Sequence, residues 1–216
     1  MTYRTVTLAL YLLIALIPGV IVHEYAHALV ADRLGDPTPR RWGRLTLDPR
    51  PHIDRFGTVV LPALLLLLVA VGAAFIPFAY GKPMPYEPSY LRNPERDETL
   101  VALAGPFANL GLAVAAGLVL RVVPCGELSR FVLWFLFMNV VLFVFNLIPI
   151  PGLDGARIIA RFLQGRAQQL YVDANQYLPL FMLVVFFLLS APILTIVGSV
   201  STWLSSLLGG SHCLLI

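Results

Sequence analysis

Gly19-Val20-Ile21-Val22-His23-Glu24-Tyr25-Ala26-His27-Ala28-Leu29-Val30 carries the pattern His-Glu-x-x-His. Around it, the run from Thr5 to Ala31 has no charged residue except Glu24 and no histidine besides His23 and His27. A helix places residues i and i+4 on one face, so His23 and His27 project side by side. Two imidazoles at that spacing can share a zinc ion, with the intervening glutamate placed as general base. At ~1.5 Å per residue the run spans roughly 40 Å, enough to cross a bilayer. An ionisable side chain near mid-span costs on the order of 2.5–3.5 kcal/mol. The bland alternative, polar residues gluing neighbouring helices together, does not call for zinc-ligand spacing.

The rest of the chain fits this setting. Of its 216 residues, 58% are hydrophobic and 12% charged. A soluble domain carries about 25% charged residues, so a water-soluble globule is excluded. The net charge of +3 comes from arginines beside apolar segments, which reads as membrane topology rather than nucleic-acid binding. Two cysteines, Cys125 and Cys213, cannot build a cysteine zinc site; a disulfide between them is open, with no sequence feature to support it. The first apolar run is too long for a signal peptide, and the terminal Cys213-Leu214-Leu215-Ile216 is read as a coincidental prenylation pattern.

The first helix is expected over about Thr5–Arg33, with Pro18 inside it and Gly35 and Pro37 ending it. Residues Asp36–Arg55 are polar and arginine-rich. Trp42 to Asp48 suggests a short strand bounded by Gly43 and Pro49, with an irregular loop as the alternative. His52 reads as a surface residue of that loop. Further apolar runs follow at Phe56–Gly81, Thr99–Leu120 and Phe131–Ile148, the first two separated by a charged, proline-rich connection at Lys82–Glu98. Arg157, Arg161 and Arg166 fall on a short amphipathic helix, and apolar C-terminal helices are expected at about 176–208. The expected fold is an all-α polytopic membrane bundle with a short membrane-associated strand element. It forms one domain over residues 1–216, with its core at about 5–170.

Two histidines do not complete a catalytic zinc site, which has three protein ligands and one open position. Asp154 stands out because it follows an apolar run and lies between Leu153 and Gly155 at a proline-shaped break. An aspartate there can equally cap the next helix. On spacing alone both readings stand.

The sequence resembles the site-2 protease family of intramembrane zinc metalloproteases. The resemblance rests on His23-Glu24-Tyr25-Ala26-His27, on Asn146, Pro149, Asp154 and Gly155 at the spacing Asn-x-x-Pro-x-x-x-x-Asp-Gly, and on Ala104-Gly105-Pro106 with Asn109. It covers roughly Gly19 to Arg161. It implies that His23, His27 and Asp154 bind one zinc ion per chain and that Glu24 activates water. It also implies an edge near Leu45 and Leu47 where an unwound substrate adds as a strand. Asn109 and Asn146 are candidates for oxyanion or substrate contacts. The implied activity is hydrolysis of a peptide bond within or next to a transmembrane segment of a membrane-protein substrate, in the lipid bilayer. No nucleic acid is involved, and the expected location is the plasma membrane of a prokaryote. The alternative is a transporter or metal-handling protein using the same ligands, which has no special need for Glu24. The chain departs from the simplest family layout in its extra run Phe56–Gly81 and in lacking a peptide-binding (PDZ) domain.

That extra run raises a parity question. If every run spans fully, Asp154 emerges opposite the end of the first helix. If Phe56–Gly81 starts and ends on one face, the loops Asp36–Arg55, Lys82–Glu98 and Arg157–Arg166 share a side. With Arg33, that side then holds every basic residue except Arg4, Arg121 and Arg130. The positive-inside rule favours this arrangement, with the basic side cytoplasmic.

Overall fold

The computed structural model describes residues 3–61, 63, 64, 67, 81, 82, 84–173, 195, 196, 198–200, 203 and 207. Its long elements are α1 (Tyr3–Leu34), α3 (Pro94–Leu120) and α4 (Glu127–Asn146). The short ones are α2 (Thr38–Arg41), α5 (Asp154–Ala160) and α6 (Gly165–Asp173). Among the described residues, three segments are long and apolar enough to cross a membrane: Ile14–Leu34, Pro94–Leu120 and Glu127–Asn146. Each holds an 18-residue apolar stretch with at most two charged residues, as a helix facing lipid on one side and protein on the other must.

Helix α3 runs antiparallel to α1. The Arg92 N–H donates to Leu34 O at one end, while Asn109 reaches Gly19 O further along. Helix α4 runs parallel to α1: Tyr11 meets Phe131 edge-on at 6.0 Å, and Leu142 packs with Ala15 and Leu16. Small residues dominate the seams. Ala28 and Ala31 of α1 meet Val101 of α3, and Ala113 and Ala116 of α3 meet Leu136 and Val140 of α4. In lipid there is no hydrophobic drive between helices, so close backbone approach over small side chains supplies the packing.

Several boundaries differ from expectation. Helix α3 begins at Pro94 rather than near Thr99, because proline suits the first helical position and Glu95 and Asp97 favour the positive N-terminal end. The arginine-bearing helix after Asp154 is two helices, parted before Gly165 with its φ of 56°. Among the described residues there is no strand, so the expected strand at Trp42–Asp48 is corrected to a loop. Arg44 N–H closes back onto Pro39 O, Gly43 takes a φ of 66°, and Asp48 N–H bonds the Thr46 hydroxyl. These local bonds curl the stretch into turns, a competition that Ser, Thr, Asn and Asp often win against extended structure.

The Lys82 N–H donates to His52 O at 2.8 Å, so the run Phe56–Gly81 leaves and returns at one end of the bundle, as the single-face arrangement requires. Most of that run lies outside the described residues, as do nearly all of the expected C-terminal helices at about 176–208. The same end gathers Asp36, whose carboxylate accepts from Glu87 N–H, and Arg157, which sits over the Tyr86 ring. The three basic loops therefore share a side. At the other end Cys125, in the turn between α3 and α4, is disulfide-bonded, while Cys213 lies outside the described residues.

Candidate metal centre

His23 and His27 face α3 from one side of α1, and both are buried. Their Nε2 atoms lie 3.0 Å apart. Asp154, at the start of α5, brings Oδ2 to 3.0 Å from His23 Nε2 and 3.2 Å from His27 Nε2. These three side chains are the group among the described residues that could hold a metal ion.

The surrounding bonds fix which ring nitrogens carry protons. His27 Nδ1 lies 2.6 Å from Val101 O, a carbonyl that can only accept, so Nδ1 is the donor. His23 Nδ1 lies 2.7 Å from Asn109 Oδ1. The orientation of that amide follows from its other end, where Nδ2 donates to Gly19 O at 3.0 Å and to Asn139 Oδ1 at 2.9 Å. Oδ1 is thus the acceptor and His23 Nδ1 the donor. Both imidazoles then turn Nε2 towards the Asp154 carboxylate.

Without a positive charge among them, three such electron-pair donors repel one another in a buried site. A cation among them reverses that. A tetrahedral zinc with bonds of roughly 2.0–2.1 Å sets its ligand atoms about 3.3 Å apart, close to the observed spacing. Two neutral imidazoles and a carboxylate suit zinc, and Nδ1–H bonds to a carbonyl or amide oxygen are the usual support for metal-bound histidine.

Gly105 on α3 forms the wall opposite. A Cβ built on it would lie 2.3 Å from His27 Nε2 and 2.6 Å from His23 Nε2. No side chain fits there, so the glycine keeps the coordination space open. In the sequence this residue signals close helix approach and shares in the family resemblance. Its place against the ligand nitrogens depends on the α1–α3 register, which no local pattern encodes.

Asp154 makes no capping bond: Leu153 is the residue at the helix start, and no side chain there accepts from the first turn. Its carboxylate is turned to the histidines instead. Gly155 makes this possible, since a Cβ on it would lie 2.4 Å from Leu147 O, where α5 folds back on the end of α4.

Glu24 is half-buried on the same helix, and its Oε2 is buried without a hydrogen-bond partner in the protein. A Cβ built on Gly81 would lie 3.7 Å from Glu24 Cγ, so Gly81 stands beside this side chain. The buried Arg44 guanidinium is pushed below its ordinary pKa by burial, and the charge of Glu24 opposes that shift. Of the two asparagines, Asn109 spends both amide hydrogens within the helix bundle, and Asn146 donates to Leu142 O of its own helix at 2.9 Å. His52 is buried rather than on the surface, with Nε2 donating to Thr46 O at 2.8 Å, and it stands outside the metal-capable group. Asn139 and the Val101 carbonyl were not foreseen. An amide inside an apolar run was a visible signal for Asn139, whereas a main-chain carbonyl leaves none.

The profile of "Peptidase family M50" matches residues 121–190. The chain is 36% identical over 185 residues to "Putative zinc metalloprotease YwhC" of Bacillus subtilis, covering 81% of this chain and 79% of the relative. It is 35% identical over 199 residues to "Putative zinc metalloprotease Rip2" of Mycobacterium tuberculosis, covering 88% and 71%. It is 31% identical over 148 residues to "Putative zinc metalloprotease MJ0611" of Methanocaldococcus jannaschii, covering 68% of each. No solved structure matches. With three membrane-capable helices among the described residues, one of them carrying His23 and His27, the chain is an integral membrane protein and belongs to peptidase family M50, the site-2 protease family of zinc metalloproteases.

Proposed function

We propose that this protein is an intramembrane zinc metalloprotease that hydrolyses a peptide bond within or next to a transmembrane segment of a membrane-protein substrate. The observation that carries the reading is the meeting of His23 Nε2, His27 Nε2 and Asp154 Oδ2 inside the bundle, one residue from a glutamate whose Oε2 has no partner. One zinc ion per chain would be held by those three atoms. Zinc supplies Lewis-acid polarisation and brings the pKa of water down towards about 7.

The protein's own groups do the rest. Asn109 Oδ1 and Val101 O hold the two rings so that Nε2 faces the site. Glu24 Oε2 takes a proton from the attacking water and passes it to the nitrogen of the leaving amine. Asn146 keeps one amide hydrogen beyond its bond to Leu142 O, and it is the better of the two asparagines for a contact to the developing oxyanion or the substrate backbone. Asn109 serves as an orienter of His23. The basic end of the bundle faces the cytoplasm of a prokaryotic cell, in keeping with its arginine excess.

The test is cleavage of a transmembrane peptide by the purified protein in detergent, with and without zinc. Glu24→Gln keeps the shape of the side chain and cannot accept the proton. Zinc-dependent cleavage that disappears in the variant supports the reading. Cleavage at the parent rate by Glu24→Gln excludes Glu24 as the base.

A further inference from the structure

The third ligand arrives on a helix of only seven residues, α5, well removed in sequence from the histidines. A strap of chain over residues 84–92 crosses the same end of the bundle. It is anchored to α1, to α3 and to the turn that follows α1. Met84 is buried against Ala28, Ala31 and Val101; Glu87 N–H donates to Asp36 Oδ2 at 2.7 Å; Leu91 is buried; and Arg92 N–H donates to Leu34 O. Asp36 is itself fully buried, with its second oxygen accepting from Thr38 N–H. The strap is therefore fixed to the helix that bears the histidines. From it Tyr86 presents its ring to α5, where Arg157 lies with Cζ 4.7 Å from the ring centroid.

Arg157 is three residues beyond Asp154, so the two side chains leave α5 on neighbouring positions of one face. A guanidinium stacked at this distance on a half-buried ring is a directional contact, which fixes rotation as well as distance. We propose that Tyr86 and Arg157 are positioning residues for the metal centre: their stacking sets the rotation of α5 so that the Asp154 carboxylate points at His23 and His27. This rests on the metal-centre reading above. It assigns the strap a task for which the ligand motifs themselves give no residue.

Zinc affinity of the purified full chain, measured by competition with a chromogenic chelator, tests it without reference to proteolysis. Tyr86→Leu and Arg157→Gln are each expected to weaken zinc binding roughly tenfold, the size of a lost cation–π contact coupled to a metal ligand. Tyr86→Phe keeps the ring face and is expected to bind within about twofold of the parent. Combining Tyr86→Leu with Arg157→Gln should cost no more than either alone, because both remove one contact. Glu98→Gln, which removes the nearby carboxylate on α3 that also feels the charge of Arg157, should leave affinity unchanged. Cobalt loaded in place of zinc gives a second readout. Its visible absorption should lose four-coordinate intensity in Tyr86→Leu and regain it in Tyr86→Phe. Parent-like affinity in a folded Tyr86→Leu, a Tyr86→Phe as weak as Tyr86→Leu, or additive losses in the double variant each overturn the proposal. If Tyr86→Leu fails to fold, the comparison of Arg157→Lys with Arg157→Gln decides it: equal affinity for the two at the parent level overturns it. A parent protein that binds no zinc instead overturns the metal-centre reading.

Discussion

The Nδ1–H of His23 donates to Asn109 Oδ1 at 2.7 Å, across the interface between α1 and α3. That bond holds the ring with its other nitrogen turned towards His27 and Asp154. Asn109→Ala removes the acceptor and leaves the ring free to turn or to shift its proton to Nε2. Loss of such a support typically costs 10–100-fold in metal affinity, and that range is expected here. Chelator competition reads it directly. Asn109→Asp retains an acceptor for Nδ1–H and should recover part of the loss. Unchanged affinity in Asn109→Ala would mean that His23 is held by its helix alone.

Gly105→Ala is a test of space rather than of bonding. Alanine is the better helix former by about 1 kcal/mol, so the helix itself should tolerate the change. The added methyl carbon, however, would fall 2.3 Å from His27 Nε2. The expected outcome is a folded protein, by circular dichroism and size-exclusion chromatography, that retains almost no zinc. Full zinc content in this variant would mean that α3 moves away from α1 readily, and that the close approach is not what keeps the coordination space.

How much of this was legible beforehand follows from where each signal lies. The pair His23 and His27 is local, four residues apart on one helix, and a regular period carries it. Asp154 was visible as a candidate but not separable from a helix cap, because both roles ask for the same residue at the same kind of break. The return of Phe56–Gly81 to its starting side followed from charge alone, and the bond from Lys82 to His52 agrees with it. The strand at Trp42–Asp48 failed because an alternating pattern says nothing about a partner. The side-chain and turn bonds of Thr46, Asp48 and Arg44 were available locally, while among the described residues no strand lies beside the stretch. His52 was misjudged for a related reason: burial in a loop depends on what folds over it.

Single-sided placement of the basic loops gives a topological prediction. Leu47 and Phe162 are 59% and 73% exposed, one in each of two arginine-rich segments. Leu47→Cys and Phe162→Cys, made separately, should be labelled by an impermeant maleimide from the same side of oriented vesicles, above the signal of the parent chain. Labelling of the two from opposite sides excludes the arrangement, and labelling of both from the outer side reverses its orientation.

Asp154 offers the sharpest separation of two roles. As a cap its carboxylate would accept main-chain hydrogen bonds, a task asparagine performs equally well at a cost of at most about 1 kcal/mol. The observed carboxylate makes no such bond and stands 3.0 Å and 3.2 Å from the two imidazole Nε2 atoms. Asp154→Asn conserves shape, removes the negative charge, and offers a neutral oxygen that binds zinc poorly. Without metal a proton on an imidazole can take the cation's place beside Asp154, so thermal unfolding after chelation first sets the metal-free difference between the two proteins. With zinc added, the parent gains stability by mass action and the variant gains little. The expected result is therefore a zinc-dependent rise in stability in the parent alone, together with loss of nearly all cleavage in Asp154→Asn. A variant stabilised by zinc as much as the parent would place the third ligand elsewhere, with Asn146 the next side chain to replace.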